Sequence, residues 1–122
     1  MEIIKRKISD LIRAEYNPRK LTKIQEQDLK DSLTRFGLVD PVLVNVNSER
    51  ANIIIGGHQR LKVWESMGNT DVDCVELDLT YEKERELNVR LNKNTGGWDD
   101  ELLKDYFDYE ELTEWGFTPD EL

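Results

Sequence analysis

Polar and apolar residues alternate over Glu2 to Ile8, the spacing of a strand with one covered face. Ser9-Asp10 can then turn the chain into a short helical stretch expected at Leu11 to Ala14. Tyr16-Asn17-Pro18-Arg19 must be extended or turned, because proline disfavours helix at the residue before it. Thr22 to Phe36 is the clearest helix. Thr22 and Gln25 have capping-box spacing, Ile24, Leu29, Leu33 and Phe36 recur on one helical face, and Gly37 follows as a stop. Val42 to Val46 and Asn52 to Ile55 read as two strands joined by the loop Asn47-Ser48-Glu49-Arg50. Gly56-Gly57 ends the second strand, and His58 to Met67 becomes a helix stopped by Gly68-Asn69. Val72 to Leu77 is a further strand. Thr80 caps a helix to about Asn94 in which Leu87 and Leu91 share the apolar face. After a break at Thr95-Gly96-Gly97, Asp99 can cap a short helix, Asp100 to Phe107, and Tyr109 to Trp115 can add one or two turns. The order predicts an α+β domain, a small mixed β-sheet with packed helices over residues 1–95, followed by an acidic, aromatic helical extension over 96–122.

Length and composition narrow the class without changing that picture. A chain of 122 residues with 38% hydrophobic content supports one small core. No apolar run approaches the roughly 20 residues of a membrane span, and the N-terminus lacks the apolar stretch of a signal peptide, so a cytoplasmic location is expected. The single cysteine, Cys74, rules out an internal disulfide and reads as a small core residue. The formal net charge of −9 is unevenly placed. Ten acids lie between Trp98 and Leu122 against Lys104 alone, whereas residues 1–97 carry 16 basic and 16 acidic side chains. The body therefore lacks the basic surplus of a free-standing DNA clamp.

The strand, double glycine and helix start at Gly56-Gly57-His58-Gln59-Arg60 is the best candidate for chemistry. Glycines allow close approach of a ligand to the backbone, and a helix's first N–H groups have no internal partner and carry the positive end of its dipole. Phosphate is favoured there, with Arg60 as a permanent cation and His58 and Gln59 as further donors. The competing reading is structural, with the glycines turning the chain and Arg60 solvated. Arg19, in a loop stiffened by Pro18, is a second candidate, and Asn88, Arg90, Asn92, Lys93 and Asn94 crowd one helix end where a phosphate could be reached. The aromatic residues of the acidic tail either fold back on the sheet or dock to a partner. There is no Walker motif, Gly-x-Ser-x-Gly elbow or His-Glu-x-x-His sequence.

Three segments in order, Tyr16-Asn17-Pro18-Arg19, Phe36-Gly37-Leu38-Val39-Asp40-Pro41-Val42-Leu43-Val44 and Ile54-Ile55-Gly56-Gly57-His58-Gln59-Arg60, resemble the ParB/sulfiredoxin-like superfamily over about residues 1–95. The resemblance implies that a nucleoside triphosphate, CTP or ATP, is held through its phosphates by Gly56, Gly57, His58, Gln59 and Arg60, with Arg19 and Asn92 closing the site. His58 stands where sulfiredoxins carry their reactive cysteine, which argues against sulfiredoxin chemistry and leaves His58 as the candidate catalytic residue for an NTPase or phosphoryl-transfer reaction. The resemblance brings magnesium with the nucleotide. The Glu-Asn pair that helps hold it in ParB clamps is matched here by Leu91-Asn92, and leucine cannot ligate the ion, so no metal ligand is assigned. The stretch Leu87 to Leu103 is similar to ParB-like domains of phages and mobile elements, which implies a DNA methyltransferase as fused domain or partner, and with it DNA; a homodimer is a further expectation. Two alternatives stay open: a non-catalytic protein-interaction module using the acidic tail, and a ParB-like nuclease.

Overall fold

The computed structural model describes residues 2–17, 19–92, 97–98 and 106–115. Its framework is a four-stranded mixed sheet in the order β1 (Ile4–Lys7), β5 (Asp71–Leu77), β3 (Val42–Asn45), β4 (Ile54–Gly56). β1 and β5 are antiparallel, β5 and β3 parallel, and β3 and β4 form the antiparallel hairpin. The strand period of two sorts the side chains. Val42, Val44, Val72 and Cys74 turn to one face with Ile8, Ile54 and Leu61 and form one core cluster. Leu43 and Val75, partners in the β3–β5 register, belong to the other set. Cys74 is fully buried, and burial pushes its thiol up to about 11, in keeping with a packing role.

α1 (Lys23–Phe36) starts as its sequence requires. The Thr22 hydroxyl accepts from the Gln25 N–H at 3.1 Å, and the Gln25 side chain accepts from the Thr22 N–H at 2.9 Å. The expected apolar stripe is mostly uncovered, however. Ile24 is 76% and Phe36 66% exposed, against 5% for Leu33. α1 packs against α2 (His58–Ser66) rather than lying on the sheet, so only a narrow line of its surface is covered.

Three further expectations are corrected. The helical turn is a 3-10 turn at Ile8–Asp10, and residues 11–14 are extended. Ile12 is taken by the sheet edge, its N–H donating to the Asn52 carbonyl and its carbonyl accepting from the Ile54 N–H, both at 2.8 Å. Asn52, expected in a strand, sits at φ 69 in the turn, with its side-chain oxygen accepting from Arg6. In α3 (Tyr81–Asn92) the buried face is not that of Leu87 and Leu91: Glu84, Asn88 and Asn92 turn inward with Val89, while Leu91 is 46% exposed.

Gly97, expected as the end of a break, forms β6 with Trp98 (Gly97–Trp98) and pairs with β2 (Arg19–Lys20). Residues 93–96 and most of the expected helix at 100–107 lie outside the described residues. α4 (Tyr109–Glu114) is capped by Asp108, whose side chain accepts from the Glu111 N–H at 2.7 Å. Phe107, Leu112 and Trp115 are buried with Ala14, Tyr16, Ile53 and Val89 in a second core cluster. Of the two fates open to the tail aromatics, Phe107 and Trp115 fold back. Arg85 secures them, donating to the Tyr106 carbonyl at 2.7 Å and the Glu111 carboxylate at 2.8 Å. Among the described residues no helix is long and apolar enough to cross a membrane.

Candidate functional site

Of the two glycines, the second is required by geometry. Gly57 is the N-cap of α2 at φ 95, a left-handed conformation that costs an L-residue roughly 1–2 kcal/mol. A Cβ there would lie 2.9 Å from the Arg60 guanidinium and 3.2 Å from Val42 in the core. At Gly56 a Cβ would meet Leu91 at 3.3 Å and Leu43 at 3.6 Å. Gly57→Ala is accordingly expected to lower stability by about 2 kcal/mol, strain and displacement together, read as a lower urea midpoint.

Beside this turn lies a cleft of about 400 Å³. Its apolar part is made by Leu43, Val75 and Leu91; Gly56, Gly57, Arg60 and Asn92 line it near the start of α2, and Asp40 and Pro41 complete the lining. The N–H groups of His58, Gln59 and Arg60 occupy the first turn of α2, where no intrahelical acceptor exists. Asn92 is 7% exposed and donates to the Asn88 carbonyl at 2.7 Å. Asn88 in turn donates to the Ile55 carbonyl at 2.8 Å, and its buried Oδ1 has no partner among the described residues. One stripe of α3 thus carries amides from the sheet edge to the cleft.

Arg60 is already engaged. Its Nε donates to the Asp40 carbonyl at 3.2 Å and its Nη2 to the Pro41 carbonyl at 3.0 Å, with the Asp40 carboxylate at 3.8 Å. The guanidinium reaches past Gly57 to hold the segment before β3, so it shapes the cleft wall as well as charging it.

His58 and Gln59 lie apart from this cleft. They line a second groove, of about 360 Å³, with Arg13, Ala14, Asn17 and Lys62. His58 is 5% exposed, and its Nε2 accepts from the Ala14 N–H at 3.1 Å. Burial, reinforced by the Arg13 charge and opposed by Glu84, lowers its pKa to about 4, so the ring is neutral at pH 7. With its Nε2 lone pair occupied, it has no acceptor ready for a nucleophile's proton, which runs against the catalytic role expected of it. Arg19 is placed by its backbone, opposite Trp98 in β2; the guanidinium expected to close the site lies outside what the structure describes.

The candidate residues are thereby divided: Gly56, Gly57, Arg60 and Asn92 meet at the cleft, and His58 and Gln59 at the groove. Sequence reasoning missed Arg13 and Lys62. Lys62 was within reach, since it follows Gln59 by three on one helical face, whereas Arg13 is brought near only by the sheet-edge pairing of Ile12. Also missed were the cleft roles of Leu43, Val75 and Asp40, which come from distant strands and loops. Among the described residues no group of three or more His, Cys, Asp or Glu side chains could hold a metal ion.

Residues 1–95 match the model of the ParB N-terminal domain, and the chain belongs to that family. Among solved structures it is similar to a C-terminally truncated chromosome-partitioning protein ParB from Caulobacter crescentus complexed with CTP-γ-S, at TM-score 0.67 and 18% identity over 94% of this chain and 70% of that one. The same protein complexed to the centromeric parS site gives TM-score 0.63 and 18% identity over 92% and 63%. A Pnob8-like ParB-N domain gives 0.58 and 20% over 74% of this chain and 34% of that one. These likenesses establish the fold. No curated protein matches the chain.

Proposed function

We propose that the protein is a nucleotide-binding ParB-like module acting in DNA metabolism, and that CTP or ATP binds where α2 begins. The observation that carries this reading is the cleft at Gly56-Gly57. It offers the glycine backbone and the Arg60 cation for phosphate beside an apolar surface from Leu43, Val75 and Leu91, at a volume suited to one small ligand. The CTP-γ-S complex of the similar Caulobacter crescentus protein supports the choice of ligand class. Magnesium arriving with a triphosphate would find Asp40, the one carboxylate lining the cleft among the described residues. DNA would be engaged through a fused or partner domain, for which a DNA methyltransferase is the expected candidate; self-association is expected to be read by sedimentation with and without nucleotide.

Calorimetric titration with CTP, ATP, GTP and ADP, with and without magnesium, tests the reading. One triphosphate is expected to bind, and Arg60→Ala to weaken it about tenfold, the scale of one charge-assisted hydrogen bond. Heat from none of the four ends the proposal. Binding is the activity the geometry supports, and slow phosphate release would be measured alongside it, with His58→Gln as the variant that reports on any role of the ring.

A further inference from the structure

The groove on the Arg13 side of α2 brings His58 and Gln59 together with two cations, Arg13 and Lys62. We propose that it is a phosphate subsite in which His58 serves as a neutral hydrogen-bond donor of fixed tautomer, with Arg13 and Lys62 supplying the positive charge. The proposal rests on the reading that a nucleotide's phosphate end reaches the start of α2, and it names this chain's partners for that end.

The tautomer follows from one contact. The Ala14 N–H can only donate, so the His58 Nε2 at 3.1 Å must present its lone pair. A neutral imidazole has a single N–H, which is therefore on Nδ1. That N–H has no acceptor among the described residues, although His58 is 5% exposed and lines the groove. Burial keeps the ring neutral, so the donor does not titrate near pH 7.

The surroundings select the ligand. Arg13 and Lys62 line the groove together with the amide side chains of Asn17 and Gln59, and no carboxylate lines it among the described residues. Arg13 is anchored over the helix start, its Nη1 donating to the His58 carbonyl at 3.3 Å, while its ion pair with Glu65 is long at 4.0 Å. The N–H, the guanidinium and the ammonium are all donors, and the two positive charges repel a cation. They suit a multiply charged oxyanion such as a polyphosphate.

Titration of the whole chain with sodium tripolyphosphate, CTP and ATP tests this with two substitutions that separate the ring nitrogens. His58→Gln sets an acceptor near the Nε2 position and no donor at Nδ1; His58→Asn sets an amide donor near Nδ1 and gives up the Ala14 bond. We expect His58→Gln to keep the melting temperature and lose about tenfold in tripolyphosphate affinity, with Arg13→Ala and Lys62→Ala each losing a similar factor. His58→Asn is expected to melt lower yet bind within about twofold of the wild type. The ring 15N spectrum should show an Nδ1-protonated histidine whose Nδ1 signal moves on adding tripolyphosphate. Should CTP or ATP bind all four variants as tightly as the wild type, the subsite is wrong and the nucleotide reading stands. Tripolyphosphate binding that depends on these residues, with no nucleotide bound, would keep the subsite and remove that reading, and an absence of all binding removes both.

Discussion

Glu84→Ala should lose about 3–5 kcal/mol of stability, the range for removing one partner of a buried ion pair. Glu84 is fully buried on α3, and its carboxylate accepts four hydrogen bonds: from Tyr16 at 2.6 Å, Asn45 at 2.9 Å, and Arg50 at 3.1 and 2.9 Å. Asn45 is itself saturated, bonded through both side-chain atoms to the backbone of Asn47 and Leu79. Burial first, then the bond to Glu84, raises the Tyr16 pKa far above its ordinary value, while the bond to Glu84 raises that of Arg50. Without the carboxylate, Arg50 keeps the half-exposed Glu15 at 3.3 Å and the Tyr81 ring, whose centroid lies 4.4 Å from its guanidinium carbon, while the Tyr16 hydroxyl is stranded in the core. For a domain with a total of roughly 5–15 kcal/mol the loss is a large fraction, visible as a shifted urea midpoint. Tyr16→Phe, which removes one donor, should cost about 1–2 kcal/mol. A Glu84→Ala loss below about 1 kcal/mol would mean that water replaces the carboxylate and that the network is not a unit.

Acidification should act through His58 with a comparable magnitude. Its pKa is about 4 in the folded protein against an ordinary 6.5, so the unfolded chain takes up the proton first as pH falls. The stabilisation from keeping the ring neutral is complete above pH 6.5, declines as pH drops, and is gone below about pH 4. A shift of that size corresponds to about 3 kcal/mol. Carboxylates also titrate in this window, but they are common to the wild type and to His58→Gln. The wild type should therefore lose stability faster between pH 6.5 and 4.5, and equal slopes for the two proteins in urea unfolding would contradict the burial argument.

The sequence was readable wherever local chemistry decides. Thr22 and Gln25 forecast the capping box, Val42, Val44, Val72 and Cys74 forecast covered strand faces, and Gly56-Gly57 forecast a strand end before a helix opening at His58. It was unreadable where distant segments compete for the same backbone. Residues 11–14 have no local reason to be extended; Ile12 is extended because the chain at Asn52 and Ile54 offers it two hydrogen bonds. The burial of α3 defeated a rule rather than a detail. Hydrophobic spacing favours Leu87 and Leu91, but Glu84, Asn88 and Asn92 recur every four residues; Glu84 and Asn88 find partners in Tyr16, Arg50 and Ile55, none of them near in sequence, and Asn92 bonds back to Asn88. The motif Gly56 to Arg60 looked like one site because it is contiguous. A helix start points successive side chains in different directions, and so its members face two openings.

The contact between the acidic tail and α3 bears on how the protein can be shortened. The family match ends at residue 95, which suggests a natural place to cut. Yet Phe107, Leu112 and Trp115 cover Ala14, Tyr16, Ile53 and Val89, and Arg85 holds the strap in place. A fragment trimmed to the homology boundary would bare a continuous greasy surface and shed the whole net negative charge that keeps copies apart in solution. Its aggregation would then report a missing cover, not a faulty fold.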